Sequence, residues 1–139
     1  MTDTPAPPST RADGRFDAAS IRPLFADWAC VAIFVVLGKE NHGYEKGVTW
    51  FLTVWWPLAL GVLVGGLITR IYTDDTEWPG RLLVTIAIAV AVGGPLRALT
   101  GRPIYSVFTI VALVMLSILM FGWRLLAVAV RQSRTRSAS

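Results

Sequence analysis

The sequence predicts an all-α fold: a four-transmembrane-helix bundle with a disordered N-terminal segment and a short basic C-terminal tail. Three observations lead there. Of 139 residues, 54% are hydrophobic and only 16% charged, and the mean hydropathy of +0.56 exceeds what a small soluble domain can carry on its surface. The apolar residues gather in four helix-length blocks instead of recurring as scattered core positions, which is how a chain reads when lipid is its solvent. Short polar loops separate the blocks, and basic residues collect beside them.

The first twenty residues contain Pro5, Pro7 and Pro8 among Ser, Thr, Arg and Asp. Without the apolar core of a signal peptide or the means to fold alone, they read as a disordered lead-in retained on the protein. Ser20 is a candidate cap for a first span over 21–38, with Pro23 tolerated in the first turn. Its length of about 27 Å barely crosses the hydrocarbon, so Asp27 belongs in the near leaflet. Cys30 reads as a small packing residue.

After a polar loop, the second span runs over 48–71. Trp50, Trp55, Trp56 and Tyr72 suit interfacial anchoring or helix packing, and Pro57 predicts a kink. Gly61 and Gly65 stand four apart and form a small-residue face that another helix backbone can approach closely, within the chain or in a second copy. Beyond the acidic turn Asp74-Asp75-Thr76-Glu77, the third span covers 79–96. Its apolar core is the shortest, which suggests a central element surrounded by the others, and Gly93-Gly94-Pro95 is expected to disrupt its helix just before Arg97. The fourth span covers 104–130, and 131–139 form the basic, unstructured tail.

Charge placement orients the spans. The N-terminal segment, middle loop and tail hold eight basic residues near the span ends; the other two loops hold four. Cytoplasmic segments are enriched in Lys and Arg, so a cell-membrane protein with both termini cytoplasmic is expected. The net charge of +4 is spread over loop ends and tail, which points to the bilayer and its anionic lipid head groups as partners and away from nucleic acid. A homo-oligomer or a larger membrane complex is also expected, because four spans enclose little volume.

The polar residues within or beside the spans are the candidate functional ones. Asp27 lies a little past one turn into the first span, and Arg124 a little under two turns before the end of the fourth. A charge inside an apolar span is costly, about 2.5–3.5 kcal/mol for Asp at the centre of a membrane helix. Two readings follow: an intramembrane pair fixing the first and fourth helices side by side, or Arg124 reaching to the interface while Asp27 finds a backbone or water partner. On the opposite side, Lys39, His42 and Arg97 form an outer polar cluster that reads either as a cup for an anionic head group or as a solvated loop. Asp74, Asp75 and Glu77 read as solvated in preference to metal-binding. One Cys and one His supply no zinc, haem or iron–sulfur ligand set, so no metal and no cofactor is expected. Without a nucleotide-binding or hydrolase motif, no catalytic residue is assigned.

Asp27 within the first span, Gly38-Lys39 and His42-Gly43 closing it, Arg97 after Gly93-Gly94-Pro95, and Gly122-Trp123-Arg124 late in the last span occur in an order and spacing that resemble the DUF3054 family. This is a family of small membrane proteins of unknown function, and the resemblance extends from Ala26 to Arg124. It implies no activity, substrate or cofactor, and it directs attention to Asp27, His42, Arg97, Trp123 and Arg124. The functional expectation is a non-enzymatic accessory or small-solute/lipid-binding subunit. The alternatives are a small proton- or ion-coupled transporter using Asp27 and a lipid-modifying enzyme using His42.

Overall fold

The computed structural model describes residues 18–39, 47–73, 77–101 and 107–137. Among them the chain forms four helices and no strand: α1 (Ala18–Lys39), α2 (Val48–Thr69), α3 (Trp78–Ala98) and α4 (Val107–Ser137). All four are long and apolar enough to cross a membrane. Ile33, Val36, Leu52, Ile68, Val84, Ile110, Val114 and Ile118 are among the many exposed large apolar residues. In water such a surface would drive aggregation; in a bilayer it is the lipid-facing surface of a multi-pass membrane protein.

The helices form a ring. α1 packs on α2 and α4, α3 packs on α2 and α4, and among the described residues neither diagonal pair approaches. α3 is therefore one of four equivalent corners and not the central element its short apolar core suggests. The α2–α3 interface is the most extensive, for a reason visible in small residues. A Cβ on Gly61 would strike the Ala89 backbone, and one on Gly65 would stand 2.7 Å from the Thr85 carbonyl oxygen. The two glycines thus face α3 of the same chain at backbone contact distance. Beside them, the Thr69 and Thr85 hydroxyls lie 2.8 Å apart; one donates to the other, which in turn donates to the carbonyl four residues earlier in its own helix, Gly65 for Thr69 or Arg81 for Thr85.

Two tryptophans join α1 to α2. The Trp28 indole donates to the Ala59 carbonyl at 3.0 Å, and the Trp55 indole donates to the Trp28 carbonyl at 3.3 Å. Their rings meet edge to face with centroids 5.8 Å apart. Each polar N–H thereby finds an acceptor within protein, as hydrocarbon surroundings demand.

Several element boundaries differ from the sequence-based expectation. α3 runs unbroken through Gly93-Gly94-Pro95 to Ala98. Proline removes one backbone bond, but packing can hold a membrane helix through it, and Gly93 sits close against Leu58 and the Pro57 carbonyl of α2. α2 likewise continues through Pro57 and stops earlier than expected, at Thr69, where Arg70 takes a left-handed conformation and its N–H caps Leu67. Ala18–Ser20 belong to α1 and not to a disordered lead-in, so Ser20 lies inside the helix and does not cap it; residues 1–17 lie outside the described residues. The basic tail is helical as far as Ser137. Arg and Gln are good helix formers, cations favour a helix C-terminus, and Ser133, Thr135 and Ser137 hydroxyls donate to the carbonyls of Val130, Gln132 and Ser133.

Candidate functional site

The buried positions of α1 include Leu24, Asp27, Cys30, Val31, Phe34 and Val35, a three-and-four spacing that marks one helical face. Asp27 lies on it. On α4 the buried positions are Ala112, Leu116, Met120 and Arg124, four residues apart throughout, so Arg124 completes an inward row. Helical phase turns both charged side chains into the bundle at the end where α1 begins and α4 leaves it.

The two carboxylate oxygens of Asp27 accept four hydrogen bonds. Arg124 donates through Nη1 to Oδ1 at 2.7 Å and through Nη2 to Oδ2 at 2.8 Å, a bidentate ion pair. The Trp123 indole donates to Oδ1 at 2.8 Å, and the Tyr72 hydroxyl donates to Oδ2 at 2.7 Å. Asp27 is 0% exposed and Arg124 9%. Such a carboxylate has its acceptor capacity filled by short, charge-assisted bonds, which is the condition under which a buried charge is tolerated.

Tyr72 reaches Asp27 because the chain turns sharply after α2. The turn from Arg70 to Thr73 is closed by the Thr73 N–H bonding to the Arg70 carbonyl at 3.1 Å, and the Tyr72 ring folds back onto Gly66, where any Cβ would collide with the ring. Burial first, then the Asp27 charge, push the phenol far above its usual range, so Tyr72 remains a proton donor at every physiological pH. Its role is missing from the sequence reading, which takes it as an interfacial anchor. The available signal is depth: Tyr72 follows the second span at the same end of the bundle as Asp27 and Arg124.

Above the cluster lies a cavity of about 690 Å³. Arg22 of α1, Tyr72, Trp78 at the start of α3, and Trp123, Arg124 and Arg131 of α4 line it. Arg124, Ala127, Val128 and Arg131 share one face of α4, and the helical extension beyond the expected tail boundary carries Arg131 into place.

The other sequence-derived candidates lie elsewhere. Arg97 is in the last turn of α3, its guanidinium 3.4 Å from the centre of the Phe108 ring, a cation–π contact at the end of the bundle opposite Asp27. His42 and the side chain of Lys39 lie outside the described residues, as do Asp74 and Asp75. Glu77 immediately precedes α3 in a left-handed conformation.

The family model described as a protein of unknown function, DUF3054, matches residues 24–127, a stretch that includes Asp27, Tyr72, Trp123 and Arg124. The chain belongs to the DUF3054 family. In this DUF3054 protein the matched region spans the Asp27 cluster and stops short of Arg131. No curated protein and no solved structure matches the chain.

Proposed function

We propose that this DUF3054 protein is a non-enzymatic membrane subunit that binds a small solute or lipid, and that Asp27 and Arg124 are a fixed brace joining α1 to α4. Both termini, and the cavity with them, face the cytoplasm of the cell membrane in this reading. The observation that carries the brace is the saturation of Asp27, with four donors on two oxygens at 0% exposure, and the binding role draws on the cavity beside it. A proton or cation carrier needs an acceptor position open to its cargo, whereas a brace needs every position filled. Self-association, where it occurs, uses a face other than Gly61 and Gly65, which α3 of the same chain covers.

The competing transporter reading draws on one specific feature: Arg124 and Tyr72 both contact Asp27 and line the cavity, so an arriving anion could compete with Asp27 for Arg124. Thermal unfolding in detergent and flux in proteoliposomes separate the two. For a brace, Asp27→Asn and Arg124→Met each lower stability by about 3–5 kcal/mol, and the apolar pair Asp27→Leu/Arg124→Met recovers much of the loss. For a carrier, Asp27→Asn keeps the fold and abolishes flux, because the amide cannot ionise. A stable Asp27→Asn protein without flux would overturn the brace.

A further inference from the structure

Among the described residues, the charged side chains that line the cavity, or vestibule, beside the Asp27 cluster are all arginines. They are Arg22, Arg124 and Arg131, while the acidic positions Asp74 and Asp75, which fall in sequence between the lining residues Thr73 and Trp78, lie outside the described residues. Arg124 is neutralised by Asp27. Arg22 and Arg131 are both exposed, and they approach the same space from opposite ends of the chain. Guanidinium forks match the oxygens of a phosphate in pairs, which makes arginine the cation best suited to planar, two-point recognition of such a group. The length of α4 adds to this: because the helix runs on to Ser137, its negative end lies more than a turn beyond Arg131, and the unfavourable dipole acts only over the last turn.

Size narrows the ligand. A volume of about 690 Å³ lies within the usual range of small-molecule sites, roughly 300–1,000 Å³, and far exceeds a bare oxyanion. The space leaves room for an organic part beside an oxyanion, and Trp78 and the Ala127–Val128 surface of α4 offer it apolar contact. We infer that the vestibule binds a phosphate ester, its phosphate between Arg22 and Arg131 and its organic portion against Trp78 and α4. The inference rests on the binding-subunit reading above. A phospholipid headgroup from the adjoining leaflet and a soluble phosphorylated solute present the same chemistry, and the experiment distinguishes them.

Full-length protein in detergent is titrated calorimetrically with glycerol 3-phosphate, and protein in nanodiscs of phosphatidylcholine with or without phosphatidylglycerol is analysed for retained lipid by native mass spectrometry. Binding of glycerol 3-phosphate identifies a soluble source; selective retention of phosphatidylglycerol without it identifies the lipid. In either case Arg22→Gln/Arg131→Gln weakens binding at least tenfold, each single variant weakens it in part, and the melting temperature does not change, since both side chains are exposed and outside the brace. Arg134→Gln, on the same helix but absent from the lining, leaves binding intact. Failure of both probes, or equal weakening by Arg134→Gln, overturns the proposal. The stability comparison at Asp27 and Arg124 reads the brace alone, so each proposal can fail without the other.

Discussion

Four donors converge on the oxygens of Asp27, and removing them separately ranks their contributions. Tyr72→Phe deletes one hydroxyl and keeps the ring on Gly66, so it should cost about 1.5–3 kcal/mol, the usual value of a hydrogen bond to a charged group. Arg124→Met should cost more, about 3–5 kcal/mol, because it leaves the carboxylate buried without its counter-charge. Chemical unfolding in a single detergent gives the order, and an Arg124→Met protein as stable as Tyr72→Phe would show that the counter-charge matters less than the hydrogen bonds. Counting turns in the sequence sets Asp27 and Arg124 at similar depth, but depth carries no azimuth. In lipid both faces of a helix are apolar, so hydropathy does not say which face turns inward. Tyr72 is hidden for a further reason: its position depends on the left-handed Arg70 and a four-residue turn, and nothing in the identity of Arg70 announces that backbone.

Helix contacts here depend on absent side chains as much as on present ones. Gly66→Ala forces the Tyr72 ring off its seat and should therefore reproduce much of the loss seen in Tyr72→Phe. The double variant should fall short of additive, since both changes act on one hydrogen bond; full additivity in unfolding measurements would separate the glycine from the cluster. Gly61→Leu or Gly65→Leu drives a side chain into the α3 backbone, at a cost of about 1–3 kcal/mol or more. An unchanged melting temperature for both would mean that α2 and α3 can part without penalty. Four apolar blocks make the helices legible in the sequence, and the small-residue spacing shows where a backbone can come close. Their limits are less legible. Gly93-Gly94-Pro95 has the composition of a break, yet the packing of Gly93 on α2 carries the helix through. The basic residues after Val130 have the composition of a free tail, yet they continue α4.

For the molecule as a whole, the ring places the start of α1 and the end of α4 beside one vestibule, to which Arg22 and Arg131 both contribute. If charge sets the threading, a cysteine at Thr135 labels only after the membrane is permeabilised, and one at His42 labels in intact cells; external labelling of Thr135 would reverse the orientation. The same arrangement has a consequence in time. Asp27 and Arg124 are separated by 97 positions, and at about 5–20 residues per second the ribosome needs roughly 5–20 s to travel from one to the other. For that interval α1 resides in the membrane with its acid lacking the arginine, and the Trp123 indole does not yet exist either. Tyr72 arrives about midway and can supply one donor early. A chain that ends before Trp123 therefore lacks three of the four donors that the finished protein directs at the Asp27 carboxylate, and keeps only the Tyr72 hydroxyl.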